Sequence, residues 1–313
     1  MNLTRYEIST ERVRLKGRTE QRGAQTGFPT WGGILFGGVF VATGVAVALI
    51  GLKVIPVEAA SVKSPFWVLT VFGLVFALAG LAVWAMAGRQ FAMEKRRREA
   101  QRQFGGEPAL ADYNWDTRGF APPRWKRAMK AAAAAAFVTL FLSIFNWWAF
   151  FTNSPLMVKI LVGVFDLILL AVWWEAVRRI GQAMKFGGSQ VVFEKFPYRR
   201  GAPIVLRWEV ADGVAQINKG TFTLRCVEEW YETRGSGKNR STSLVHEERW
   251  RATWHVDGAS SLRRGESVAL RFELPADAPA TQLGAKRPVF WELEVKLDLA
   301  GLDFEETYLV PVY

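Results

Sequence analysis

The chain has 313 residues, 50% of them hydrophobic, with 40 Lys/Arg against 29 Asp/Glu and a net charge of +11. Its mean hydropathy of +0.07 averages two unlike parts: residues 1–185 hold 23 cations and 11 anions, residues 186–313 hold 17 and 18. The basic excess thus belongs to the apolar part. It reads as membrane topology and attraction to anionic lipid, not as the basic face of a nucleic-acid-binding domain, and the lone Cys226 excludes an intrachain disulfide and a cysteine-rich zinc site.

Residues 1–30 lack the apolar core and cleavage site of a secretory signal. They carry Arg5, Arg12, Arg14, Lys16, Arg18 and Arg22 and read as a basic cytoplasmic tail, with an amphipathic pattern (Leu3, Tyr6, Ile8, Val13, Leu15) that fits either a strand or a surface helix. Trp31 to Leu52 is a first uncharged span, and Phe66 to Gly88 a second, each of the roughly 20 residues a bilayer requires. They form the transmembrane hairpin expected over 31–88. Along it, Phe36-Gly37-x-Val39-Phe40-x-x-x-Gly44-x-Ala46-Val47 recurs as Phe72-Gly73-x-Val75-Phe76-x-x-x-Gly80-x-Ala82-Val83. The loop between the copies is short, so they run antiparallel. In each the glycines fall seven apart on one helix face, and Gly37, Gly44, Gly73 and Gly80 are expected to bring the two helices together, because lipid supplies no hydrophobic drive for that approach.

Residues 89–130 form a basic linker. Arg89, Lys95, Arg96, Arg97, Arg98 and Arg102 continue the second helix into the cytosol, Gly105-Gly106-Glu107-Pro108 breaks it, and the remainder up to Arg124, Lys126, Arg127 and Lys130 reads as irregular. A second hairpin follows over 131–178, with spans Ala131 to Phe151 and Pro155 to Val177. Its second helix repeats part of the first hairpin at a constant offset of 89, from Val75-Phe76-x-Leu78 to Arg89 and from Val164-Phe165-x-Leu167 to Arg178. Lys and Arg resist translocation, so both termini are expected in the cytoplasm.

Phe186-Gly187-Gly188-Ser189 ends the helical pattern, and the period changes to alternation. Gln190–Glu194, Pro203–Asp212, Thr221–Tyr231, Leu244–Val256, Glu266–Leu274, Val289–Leu299 and Asp303–Val312 read as strands bounded by turn residues. Seven strands without a helix imply an antiparallel β-sandwich over 186–313. Apolar residues such as Leu206, Trp208 and Val210, or Leu293, Val295 and Leu297, mark core faces, and the charges between them mark solvent faces.

Two stretches carry a resemblance. Pro197-x-x-x-Gly201, Leu206-x-x-Glu209-Val210, Phe272-x-Leu274-Pro275-x-x-x-Pro279-x-Thr281, Trp291-x-Leu293-x-Val295 and Val310-Pro311-Val312 look like an arrestin-like sandwich. Phe104-Gly-Gly-Glu-Pro-x-Leu, with Trp115 beyond, resembles a linker of an uncharacterised bacterial multi-pass membrane protein family, a domain of unknown function. There the linker reads Gly-Glu-Pro-Trp-Leu-Trp, where this chain has Ala109 and Ala111. The resemblance implies protein binding by fold analogy alone, and no catalytic residue.

Chemistry is sparse. Gly235-Ser-Gly-Lys238 lacks the Ser/Thr, the first glycine and the strand-to-helix setting of a phosphate loop. His246 and His255 sit nine apart on one strand with a single Cys elsewhere, a poor basis for a metal site. No nucleophile elbow is present, and Cys226 beside Leu224 reads as a core residue. Asp166 is the exception. A carboxyl midway along the fourth span is expensive. It is either a protonatable group on an ion path, with Asn146 nearby, or a packing group hydrogen-bonded to Asn146, Ser143 or Thr139.

The expectation is an α+β chain: a four-helix transmembrane bundle of two hairpins and a C-terminal arrestin-like or Ig-like sandwich. It would act in the bacterial inner membrane as an adaptor, without enzymatic activity, cofactor or nucleic acid. An exposed strand edge or the Tyr231 to Ser243 loop would meet a protein partner, with Glu228, Glu229, Trp230, Arg249 and Trp250 as candidate contacts. A small transporter or channel subunit using Asp166 is the alternative.

Overall fold

The computed structural model describes residues 3–18, 20–23, 30–58, 64–210, 214–236, 240–263, 265–299 and 303–313. Within it the chain divides into two compact units, one from Phe28–Ala92 and Arg124–Ala183, the other from Met1–Gly27, Met93–Pro123 and Met184–Tyr313. Residues 59–63 of the first hairpin's loop, 211–212 of an expected strand and 237–239 of the expected docking loop lie outside the described residues.

The first unit is helical. Helices α1 (Thr30–Gly51), α2 (Phe66–Gln103), α4 (Arg124–Phe151) and α5 (Leu156–Phe186) are each long and apolar enough to cross a membrane, and their apolar side chains are largely exposed. Helix α2 runs on past the apolar stretch because Met93–Gln103 holds good helix formers supported by i,i+4 pairs, with Arg98 at 2.6 Å from Glu94. Within the α1–α2 hairpin the glycines face one another in antiparallel register. A Cβ on Gly44 would lie 2.6 Å from the Gly73 carbonyl oxygen, and one on Gly80 would lie 2.6 Å from that of Gly37. The backbones touch where side chains would otherwise stand.

The second unit holds two antiparallel sheets around one core. The larger contains β1 (Leu3–Ser9), β7 (Ser241–Leu262), β6 (Val214–Arg234), β9 (Val289–Leu299) and β10 (Phe304–Val310) in that order, with β2 (Val13–Arg14) also on β7. The smaller has the order β3 (Gly119–Phe120), β4 (Gln190–Phe193), β5 (Ile204–Glu209) and β8 (Ser267–Phe272). Trp208 of the smaller sheet packs edge-on against Phe222 and Phe304 of the larger, and its indole N–H donates to the Tyr308 hydroxyl at 3.0 Å. Fully burying an indole of this size removes enough apolar surface for about 4–6 kcal/mol, an upper bound.

Three strands come from outside the expected β region, which corrects the division into tail, linker and sandwich. The amphipathic tail pattern resolves as a strand, β1, with Tyr6 opposite Trp254 and Ile8 opposite Ala252. The linker is not irregular beyond the α2 stop. Pro108 opens a short helix α3 (Pro108–Asp112), Trp115 is buried against Phe193, Phe196 and Tyr113, and β3 pairs with β4. Asp112 fixes this segment by accepting the Leu283 and Gly284 backbone N–H groups at 2.7 and 2.9 Å and the Tyr313 hydroxyl at 3.2 Å.

Candidate functional site

One face of the larger sheet packs on the smaller sheet; the other is polar. Register places Leu309, Glu292, Arg225, Arg251 and Ser9 in one row across it, and Thr307, Glu294, Thr223, Thr253 and Glu7 in the next. A bulge between Cys226 and Val227 makes Arg249 the extra residue on β7, so Glu248 and His246 keep to this face while Trp250 turns to the core.

Part of this polar face is sealed from solvent. Glu229 and Glu292 have no exposed surface, and Arg225 and Glu248 are also buried. The charges between Leu206 and Val210 and between Leu293 and Leu299 are exposed or half-buried, as at Arg207 and Lys296, but this part of the face is covered by a third layer. After β2 the chain turns at Gly17, whose φ of +76° suits glycine, and crosses the sheet. Arg18 grips Glu292 through both guanidinium nitrogens, one of them at 2.6 Å, and lies 5.7 Å from the Phe290 ring centroid. Arg225 donates to the same carboxylate at 2.7 Å and approaches Glu294 at 3.0 Å and Glu248 at 4.0 Å. Further along, the Arg22 and Gly23 backbone N–H groups donate to the two oxygens of Glu229 at 2.9 and 3.0 Å, and Arg22 reaches Thr307 Oγ1 at 2.8 Å. Gly23 is required there: a Cβ would stand 2.2 Å from Pro288 Cγ.

The electrostatics follow from burial and pairing. Burial pushes the Glu292 carboxyl up, but Arg18 and Arg225 together outweigh it and hold the group well below the usual carboxylate range. Arg18 is pulled down by burial and raised further by Glu292, so its net shift is upward. At Glu248 burial wins over Arg225 and Arg251, and its carboxyl sits above the usual range. His246 Nε2 lies 2.9 Å from Glu229 and 3.2 Å from the Glu20 carbonyl oxygen; both are acceptors, so Nε2 carries the proton.

The five candidate partner contacts separate accordingly. Glu229 is sealed under the N-terminal segment, and Trp250 is buried against Trp291 at 5.2 Å, so neither offers a surface to a partner. Glu228 is buried between Arg249 at 2.5 Å and Arg287 at 3.1 Å. Trp230 is half-buried, with the Arg287 and Arg14 guanidiniums 4.5 and 6.0 Å from its ring. Arg249 is the remaining half-exposed member. His246 and His255 share the polar face but meet different carboxylates, Glu229 and Glu7. Burial pushes the Cys226 thiol up to about 12, which leaves it unreactive.

In the helical unit the second pair of candidates does meet. Asn146 Nδ2 donates to Asp166 Oδ1 at 2.9 Å and to the Leu142 carbonyl oxygen at 3.2 Å. Seven residues away on each helix, Trp173 donates to Thr139 Oγ1 at 3.0 Å, while Ser143 bonds its own helix at Leu140. The repeat-related Trp84 likewise bridges its own hairpin, donating to the Ile34 carbonyl oxygen at 2.8 Å. Sequence reasoning missed Arg18, Arg22, Arg225, Glu248 and Glu292. The one available signal was the density of charge in β9 and β6, where Glu292 and Arg225 stand among fully apolar neighbours.

No family model and no curated protein matches the chain. Among solved structures, Spo0M, a sporulation control protein from Bacillus subtilis, matches over 40% of this chain and 48% of its own, about half its length, with 19% identity and a TM-score of 0.26.

Proposed function

We propose that this is a multi-pass protein of the bacterial cytoplasmic membrane, with both termini in the cytoplasm, that presents an arrestin-like sandwich to a protein partner. One observation carries the reading: Met1–Gly27, Met93–Pro123 and Met184–Tyr313 fold into a single unit. A single folded unit occupies one side of a bilayer, so an even number of crossings must separate its segments, and two candidate spans lie in each interval. Those same segments hold or border the cations of the expected inner side, including Arg96, Arg98 and Arg102, which suits contact with anionic lipid.

The sandwich leaves two places for a partner. The β6–β7 hairpin ends in exposed residues such as Arg234 and Ser236, and β8 is an edge strand whose outward side is exposed at Ser267, Ala269 and Arg271. A photo-crosslinking residue at Ser236 or Ser267 of the full chain in native membranes should give an adduct of defined mass, and the same probe at buried Ala109 should not. No defined adduct from either exposed position would defeat the adaptor reading. The Asn146–Asp166 hydrogen bond supports a packing role for that pair. The transporter reading requires Asp166→Asn to abolish proton flux in liposomes.

A further inference from the structure

We propose that the polar face of the larger sheet is a docking slot for an extended, arginine-bearing segment of a partner protein, and that the chain's own segment around Arg18 and Arg22 occupies it in cis until displaced. The inference rests on the adaptor reading and names the face and the ligand chemistry.

The slot asks little of its occupant. It takes one guanidinium, bound in bidentate fashion by Glu292, and two consecutive backbone N–H groups, bound by the two oxygens of Glu229. It also takes a glycine at the point where Pro288 closes the space. Two side chains enter, Arg18 between Glu292 and the Phe290 ring and Arg22 toward Thr307, and the remaining contacts are main chain, so the occupant is an extended segment with two arginines and a glycine. The two faces of the sheet contrast in kind. The inner face is closed by Phe222, Leu224, Leu293 and Val295, an apolar layer that cannot be opened without exposing hydrocarbon. The outer face is closed by ion pairs, whose desolvation offsets much of their attraction. Both of its surfaces hydrate readily when parted. Uncovered, it presents Glu229, Glu248, Glu292 and Glu294; Arg251 and Lys296 pair with Glu248 and Glu294, and Arg225 is shared among three of the four, which leaves Glu292 and Glu229 to be matched by a basic strand. The occupant in cis is tethered at β2 on one side and α1 on the other, so it competes at high effective concentration. A free segment therefore binds weakly until the strap is loosened.

The test uses the full chain in lipid nanodiscs and a fluorescent peptide copying residues 14–23. Two variants loosen the strap: Arg18→Ala, which removes its ion pair, and Gly23→Ala, which drives a methyl into Pro288 without changing charge. Hydrogen exchange at residues 15–23 reports release, and circular dichroism reports that the sandwich is intact. Peptide affinity should rise about 100-fold in either variant over wild type, and a peptide with alanine in place of its Arg18 should bind none of the three. Tight binding to whichever variant remains folded supports the slot. Failure to bind a folded, strap-released variant overturns it, as does equal binding of the alanine peptide. The adaptor reading survives that failure if crosslinks at Ser236 or Ser267 are obtained, so the two are told apart.

Discussion

The glycine seam between α1 and α2 makes the sharpest demand on sequence. A Cβ on Gly44 would meet Ala77 N at 2.4 Å and the Gly73 carbonyl oxygen at 2.6 Å, and one on Gly73 would meet Ala48 N at 2.3 Å, where ordinary contact begins at 3.4 Å. These neighbours are backbone and cannot rotate away. Gly44→Ala therefore forces the helices about 1 Å apart, a gap that forfeits roughly a quarter to a half of the dispersion along the seam. The expected cost is about 1–3 kcal/mol. Because one separation accommodates both methyls, Gly44→Ala with Gly73→Ala should cost clearly less than the sum of the singles. Gly163 and Gly88 have nothing within 4 Å of a built Cβ, so alanine there should be neutral or gain up to about 1 kcal/mol from helix propensity. Denaturation of the full chain by increasing SDS fraction in mixed micelles, followed by circular dichroism, measures all five variants. If Gly44→Ala behaves like Gly163→Ala, or the double variant is fully additive, the close approach of these backbones is wrong.

Three further outcomes follow from the polar groups. Asn146→Leu removes the donor to Asp166 and should cost about 0.6 and at most about 1.7 kcal/mol in the same micelle assay, whereas Asp166→Asn keeps an acceptor and should cost less. Asp112→Ala orphans the Leu283 and Gly284 N–H groups, at about 1–3 kcal/mol each, and should lower the melting temperature more than Asp112→Asn, which still accepts one of them. Glu292 and Glu248 should give opposite pH dependences. The folded Glu292 carboxyl is depressed, so its contribution is present above the ordinary value of 4.5 and lost as pH falls through the folded value. The Glu248 carboxyl is raised, so its contribution is present below 4.5 and lost as pH climbs through the folded value. Urea titrations at pH 4 and 7 should find Glu292→Gln more damaging at pH 7 and Glu248→Gln relatively more stabilising there; matching profiles would refute the assignment.

Local pattern carried the helices and the C-terminal strands. The strand expected at Val289–Leu299 is β9 to the residue, because an apolar alternation bounded by Pro288 has one reading. It failed where a partner is distant. Nothing in residues 3–9 announces that Leu3 will face Val256, and nothing in Gly119-Phe120 announces Val192 and Val191. Arg18 looks like any topology-setting cation until Glu292, 274 residues later, is placed beside it. Alternation separates two faces of a strand but is silent on what covers each. Glu292 and Arg225 therefore went unremarked, and Glu229 and Trp250, named as contacts because they flank the Tyr231 to Ser243 loop, are buried, Trp250 on the core side of the bulge at Cys226/Val227.

One loop, from Gln282 to Pro288, receives two of the three chain segments that build the sandwich unit. Gly23 abuts Pro288, whose carbonyl oxygen also accepts the Glu229 N–H at 2.9 Å, and Asp112 holds the N–H groups of Leu283 and Gly284 a few residues earlier. Arg97 from the end of α2 closes on Gly284 from outside, where a Cβ would fall 1.7 Å from a guanidinium nitrogen. The loop from Gln282 to Pro288 thus sits between the strap and the segment that continues α2. Within the proposed exchange, a partner that lifts Gly23 away removes one support of this loop while Asp112 and Arg97 keep the other. Strap release should therefore register as faster hydrogen exchange at Glu229, whose N–H donates to the Pro288 carbonyl oxygen, whereas Leu283 and Gly284, still bonded to Asp112, and the paired amides of β5 and β8 should keep their protection.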